Sequence, residues 1–437
     1  MTETKSSTFI SPGLQRVAEK AKEHPEWVFT TLAHHIDLAL LREAFRRTRK
    51  DGATGVDGVT AAEYERGLEG NLQSLLDRAK AGTYHAPAVR RVHIPKGDGR
   101  TRPLGIPTFE DKVLQRAVVM VLEALYEQDF LPCSFGFRPG RSAHEALRTL
   151  REGVMAMGGG YVLEADIRDC FGSLSHAHLR EILSQRMRDG VLTRLIGKWL
   201  NAGVLDAGSI VRPDAGTPQG GVISPLLANI YLHTVLDVWF EREVKPRLRG
   251  RAFLVRYADD FVIAFELRDD ADRVAAVLPQ RFAKHGLTLH PEKTKLLCFA
   301  PPDDRSAATP QTFDFLGFAH RWQRSLRGYW VVRQVTAAKR LRRALNAISE
   351  WCRRHRHEPI DDQHATLCRK VRGHCGYYGI TGNSAALWLF RHGVSKLWRK
   401  WLMRRSAAAR RPLSWWWAFQ ARHPLPSAIA VHSQLRR

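Results

Sequence analysis

The stretch FLVRYADDFVIAF, residues 253–265, decides how the chain is read. Two apolar runs flank a short polar break, which predicts a β-hairpin with Asp259 and Asp260 at its bend. Carboxylates set between apolar strands cost free energy unless a cation compensates them. A divalent metal ion does so, and a hairpin bend lets both side chains point at one place. Taken alone, Tyr257-Ala258-Asp259-Asp260 is a weak signal, because an exposed acidic turn has the same spelling.

The segments around it change that weight. YVLEADI (161–167) predicts a strand that delivers Asp166 at its end, 93 positions before Asp259, within ADIRDCF. GTPQGG (216–221) runs into VISPLLANIYLH, and GLTLHPEKTK (286–295) and Phe315-Leu316-Gly317-Phe318 follow the hairpin. Upstream stand VHIPKGDGRTRPLGIP (92–107) and CSFGFRPGRSAHEAL (133–147). Lys96 and Arg102 flank the turn GDGRT, which brings two cations to one side.

Composition bounds the rest. The 437 residues suffice for two to four domains, and a 44% hydrophobic, 26% charged composition excludes a disordered or fibrous chain. No apolar run is long enough to cross a membrane, and MTETKSSTFI lacks the pattern of a secretory signal. None of the six cysteines forms a CxxC pair, so they read as reduced, buried thiols of a cytoplasmic protein.

The net charge of +24 is uneven. From Arg321 onward, 25 Lys and Arg stand against 4 Asp and Glu, whereas the first 320 residues carry a net of only +3. Nine of the twelve Trp fall in the same terminal stretch, most of them expected in a core. A near-neutral body with a basic, aromatic end predicts a nucleic-acid partner: cations release counterions from phosphates and aromatic faces stack on bases. Apolar spacing predicts helices over 109–130, 335–357, 361–380 and 384–405, with a tail broken by Pro412, Pro424 and Pro426.

In order, these blocks resemble those of reverse transcriptases, and most closely the reverse transcriptase/maturases encoded by bacterial group II introns. The resemblance covers about residues 30–408. It implies an α+β right-hand polymerase, fingers and palm around an antiparallel sheet, followed by an α-helical thumb. The implied parts are an N-terminal extension with the first fingers segment (1–90), fingers and palm (91–320), a helical thumb or maturase domain (321–408) and a basic aromatic tail that contacts DNA or closes the fold (409–437). A structured RNA, such as group II intron RNA, an RNA template with a DNA primer, and dNTPs are the implied partners, with no membrane. A homodimer is compatible with this.

Residue by residue, the resemblance makes Asp166, Asp259 and Asp260 the catalytic carboxylates and the ligands of two Mg²⁺ ions. Lys96 and Arg102 would clamp the triphosphate, Gln219 would contact the nucleotide sugar, and Phe171 would exclude a ribose 2′-hydroxyl. Arg138 and Arg141 would touch the template, and Phe315, Leu316 and Gly317 would grip the primer end. The chain departs from the pattern at Gly172, where a second Asp is common, and nothing after residue 408 resembles a Cys/His-rich nuclease. Two other readings stay open: a reverse transcriptase of a retron, diversity-generating, CRISPR-linked or phage-defence system, and an RNA-binding splicing factor with an unused polymerase site.

Overall fold

The computed structural model describes residues 11–95, 101–206, 209–211, 216–217, 220–302, 311–406 and 411–433. It is a mixed α+β chain whose two compact units are Met1–Ala146 with Leu163–Leu296, and Leu147–Val162 with Leu297–Arg437. Its strands are β1 (Val89–Pro95), β2 (Thr101–Ile106), β3 (Gly160–Asp166), β4 (Val204–Asp206), β5 (Ser209–Val211), β6 (Ala252–Tyr257), β7 (Asp260–Phe265), β8 (Lys295–Phe299), β9 (Phe313–Phe315), β10 (Phe318–Arg324) and β11 (Trp330–Thr336).

In the first unit, β6 and β7 pair antiparallel from Ala252 opposite Phe265 to Tyr257 opposite Asp260, leaving Ala258 and Asp259 as a two-residue turn. Both strands are apolar over most of their length because the sheet, ordered β6-β7-β3-β8, is covered. A second sheet has the order β2-β1-β4-β5. The helix Phe109–Tyr126 is buried along nearly its whole length, and Thr108 caps its start by accepting from the Asp111 amide. Asp111 itself is buried and accepts from Tyr84 Oη and Trp199 Nε1, each at 2.6 Å. Gln115 donates to the same carboxylate and accepts from the Val222 amide at 2.8 Å. The chain after GTPQGG is thereby tied to the helix.

Inside an otherwise apolar β6 sits Arg256, with no exposure to solvent. Its guanidinium makes a two-pronged pair with the equally buried Asp237, Nε to Oδ1 at 2.7 Å and Nη2 to Oδ2 at 2.6 Å. Nη1 donates to Asn229 Oδ1 at 2.9 Å and to the Ala258 carbonyl at 3.0 Å. Asn229 lies on the helix Ser224–Leu232 and Asp237 on the wide π-type turns His233–Val244 that continue it. Burial alone would push the Asp237 carboxyl up, but the Arg256 charge and hydrogen bonds prevail and hold it below its ordinary value.

In the second unit, β9, β10 and β11 form an antiparallel sheet with β10 central. Arg151 Nε donates to the Val332 carbonyl at 3.0 Å and Gln334 Nε2 to the Leu147 carbonyl at 2.7 Å, fixing the end of the helix Ala143–Met157 on this sheet. Helices Ala338–Arg354, Ile360–Tyr378 and Ser384–Leu402 follow, close to the three read from the sequence. They enclose Leu367, Val371, Leu387, Phe390, Val394 and Trp398. The tail forms a helix, Leu413–Arg422, whose Trp416 and Phe419 pack edge-on against Trp398 at 5.9 and 5.0 Å. Most terminal tryptophans are thus at least half-buried, while Trp388 and Trp417 are exposed. Five of the cysteines are buried, and Cys298 is exposed. Among the described residues no helix is long and apolar enough to cross a membrane.

The Arg256–Asp237 pair yields a stability test. Asp237→Ala strands a buried guanidinium and is expected to cost about 3 kcal/mol or more in denaturant unfolding. In the wild type the contribution of Asp237 is complete above the ordinary carboxylate range near pH 4 and is lost as pH falls below it, because its folded pKa is depressed. An unchanged unfolding midpoint in Asp237→Ala would contradict this role.

Candidate active site

The turn that carries the two adjacent carboxylates is strained and held. Ala258 has φ 58°, a left-handed conformation that costs an ordinary residue roughly 1–2 kcal/mol. It is kept by the Arg256 bond to its carbonyl and by Gly136, whose backbone packs against it so closely that a Cβ there would lie 2.3 Å from the Ala258 nitrogen. Asp259 is half-buried at the turn and Asp260 is exposed at the start of β7.

Asp166 closes β3, the strand next to β7. Its surroundings are built by the block 286–295: His290 N donates to the Asp166 carbonyl at 2.8 Å and Arg168 N to the Thr288 carbonyl at 2.8 Å. That pairing brings Lys293 Nζ onto Asp166 Oδ2 in an ion pair. Burial pushes the Asp259 carboxyl up from its ordinary value, and the Asp166 charge adds to the rise. Arg102, exposed on β2, and Lys293 pull it back only in part. Burial likewise pushes the Cys170 thiol up, with the charges of Asp259, Asp169 and Asp166 adding to the effect. Asp166, Asp259, Arg102 and Lys293 therefore share one electrostatic neighbourhood.

The segment after Asp166 bends through Asp169, at φ 44°, into the short helix Cys170–Ser173. Phe171 is buried there, and its carbonyl accepts from Thr217 N at 2.7 Å. Gly216 N donates to the Leu174 carbonyl at 2.8 Å, and His176 Nε2 lies 2.6 Å from the Gly216 carbonyl. The loop beginning Gly216-Thr217 is stitched to the Phe171 segment. Its far end, Gly220 at φ 118°, lies on β2, where a Cβ would come 2.5 Å from the Gly105 carbonyl. Gly172 has a local reason as well: a Cβ there would stand 2.2 Å from Asp169 Oδ2.

Other residues singled out from the sequence fall elsewhere. Lys96 and Gln219 lie outside the described residues. Arg138 is buried rather than presented to solvent: its Nη2 pairs with Glu127 at 3.0 Å and its Nη1 donates to the Leu131 and Ser134 carbonyls at 2.9 and 2.8 Å. Arg141 is exposed, its guanidinium 5.4 Å from the Phe135 ring. Phe315, Leu316 and Gly317 belong to the second unit. There Leu316, at φ 50°, offers its carbonyl to Tyr377 Oη at 2.8 Å, and Gly317 lies against Tyr378.

Sequence reading missed Lys293, whose partner is 127 positions away, and Arg256, which hides in an apolar run. Among the described residues no three His, Cys, Asp or Glu side chains are gathered as a ready metal-ion ligand set. The donor chemistry nevertheless suits a hard cation: carboxylate oxygens, a half-buried Asp259 whose pKa is raised by burial and then by the Asp166 charge, and an ammonium already neutralising Asp166.

The stitching of the Gly216 loop is testable. Gly216 has φ 91°, and a Cβ on it would meet the Gly172 carbonyl oxygen at 2.7 Å. Gly216→Ala is expected to destabilise the protein by about 1–3 kcal/mol, read by thermal or denaturant unfolding. A variant as stable as the parent would show that the two segments are not locked together.

Residues 94–320 match the family described as reverse transcriptase (RNA-dependent DNA polymerase), and residues 341–421 match the group II intron, maturase-specific domain. The chain is 35% identical over 246 residues to the group II intron-encoded protein LtrA of Lactococcus lactis subsp. cremoris, covering 54% of this chain and 40% of that protein. It is 37% identical over 237 residues to protein YkfC of Escherichia coli K12, covering 48% of this chain and 62% of that one. To nuclear intron maturase 2, mitochondrial, of Arabidopsis thaliana it is 29% identical over 179 residues, covering 32% of this chain and 24% of the relative. The chain thus spans less than two thirds of each of these relatives. Its first matched block contains Asp166, Arg102, Phe171 and the Asp259-Asp260 turn, and the chain belongs to the reverse transcriptase family, with a group II intron maturase-specific domain behind the polymerase block.

Proposed function

We propose that this chain is an RNA-directed DNA polymerase that adds dNTPs to a primer 3′-hydroxyl and binds a structured RNA as group II intron maturases do. The observation that carries the reading is the Asp166–Asp259 neighbourhood, two carboxylates from distant segments with Arg102 and Lys293 around them. Asp166, Asp259 and Asp260 would hold two Mg²⁺ ions. Ions held there would supply charge that lowers the pKa of the attacking hydroxyl and would neutralise the leaving pyrophosphate.

The protein's own side chains do the rest. Arg102, with Lys96, meets the triphosphate, and a guanidinium forks onto phosphate oxygens where an ammonium acts as a point charge. Phe171, buried beside the Gly216-Thr217 loop, serves as the wall against a ribose 2′-hydroxyl, and Gln219 of that loop meets the sugar. Arg141 faces the template, on a turn that Arg138 braces from inside. The Phe315-Leu316-Gly317 turn, clamped by Tyr377, holds the primer end.

In domain terms, residues 1–90 would extend the fingers, 91–320 would form fingers and palm, 321–408 a thumb whose three helices follow the end of β10 and β11, and 409–437 a basic tail whose helix Leu413–Arg422 packs on Trp398. A cytoplasmic setting with reduced thiols belongs to the same reading. The maturase-domain match over 341–421 favours an intron-type enzyme over a retron, diversity-generating, CRISPR-linked or defence polymerase. Retention of the carboxylates with Arg102 and Phe171 favours an active polymerase over a splicing factor with an unused site.

The direct test is primer extension on an RNA template. Mg²⁺-dependent incorporation of dNTPs is expected, and abolition by Asp259→Ala with Asp260→Ala; undiminished activity in that double variant would exclude the reading. The basic end beyond Arg321 has its own signature. If it neutralises several phosphates, RNA affinity should fall by on the order of 10³ between roughly 50 and 200 mM salt, measured by filter binding. A flat response would make that charge mere solvated surface.

A further inference from the structure

Among the described residues, four that are not glycine adopt a left-handed backbone: Phe137, Asp169, Ala258 and Leu316. Asp169, Ala258 and Leu316 shape the three turns already discussed. Phe137, at φ 59°, has no such explanation, and it is the bulkiest kind of residue to find there. Where only the backbone conformation mattered, Gly or Asn would supply it with less strain. A phenylalanine held in this conformation has to be accounted for by its ring.

Phe137 is 53% exposed, whereas Phe135, Gly136 and Arg138 beside it are buried. Phe135 is buried, and its amide donates to the Arg256 carbonyl at 2.9 Å. The Gly136 carbonyl accepts from Asn229 Nδ2 at 2.7 Å, and the Gly136 backbone presses on Ala258. The Arg138 guanidinium is locked to Glu127 and two carbonyls. A backbone pinned on both sides thus drives one aromatic face into solvent, a single residue from the contact with the Tyr257–Asp260 turn. Arg141, exposed four positions on, adds a cation. An isolated exposed phenylalanine needs no explanation, but one that is strained, rigidly mounted and one residue from a backbone packed on the Ala258 turn does.

We propose that Phe137 is a stacking platform for a nucleobase of the template–primer next to the polymerising end. The inference rests on the polymerase reading and deepens it by naming a contact made through a π-face, which every base offers. Because the platform is pre-ordered, no conformational entropy is spent in presenting it when the nucleic acid arrives.

The test uses the full chain with Phe137→Ala, Phe137→Gly and Phe137→Tyr. Three quantities are read: the thermal midpoint, the Kd for a fluorescein-labelled RNA template/DNA primer without dNTP, and kcat and KM for that duplex in extension. Phe137→Gly should keep or raise the thermal midpoint, since glycine relieves the left-handed strain, and Phe137→Ala, which keeps a Cβ at φ 59°, should leave it near the parent value. They should weaken duplex binding about tenfold and raise KM correspondingly. Phe137→Tyr should restore binding to near the parent value. Equal duplex affinity in Phe137→Ala and the parent would overturn the proposal. So would a lowered midpoint in Phe137→Ala with no recovery of binding by Phe137→Tyr, which would mark a packing role. A parent that extends no primer, while Phe137→Ala still weakens duplex binding, would refute the polymerase reading and support the stacking contact.

Discussion

Everything at the candidate active site leans on a guanidinium that water never reaches. Arg256 lies two residues before the turn carbonyl it holds, and its charge is balanced by Asp237, also without exposure. Burying two ions is expensive, and the attraction between them offsets the cost only when the geometry is two-pronged and the remaining donors are used. Here Asn229 and the Ala258 carbonyl take them. The same strand backbone exchanges hydrogen bonds with Cys133 and Phe135, so the Gly136 segment and the carboxylate turn are gauged against one side chain.

That rigidity explains how left-handed backbone survives at ordinary residues. Each strained position is held by neighbours: Ala258 by Arg256 and Gly136, Asp169 by bonds from Gly172 and Ser173 to its carbonyl, Leu316 by Tyr377. Strain of this kind persists only where the surroundings over-determine it. What it provides is orientation. For charge-stabilised phosphoryl chemistry, groups fixed before the substrate arrives need no reorganisation when charge develops.

The hairpin, the strand ending in Asp166 and the three later helices were legible because periodicity and turn residues act locally. The convergence of Asp166 on Asp259 was legible only through the ordered blocks, since it depends on which strands become neighbours. Arg256 and Asp237 were not legible: one charge inside an apolar strand and one on a helix, 19 positions apart, give no periodic signal. Lys293 was hidden for the same reason, within a block whose order was noticed but whose register on Asp166 was not. Arg138 was expected to touch the template, and its burial follows from carbonyls that only the folded turn presents.

A crystal structure of the protein with an RNA template, a DNA primer, a non-hydrolysable dNTP analogue and Mg²⁺ would weigh the central claim most directly. The expected density has cations bridging Asp166 and Asp259 to the triphosphate, with Lys293 displaced from Asp166. Cations bound elsewhere, with Asp166 still paired to Lys293 and the nucleotide remote from the Ala258 turn, would contradict it.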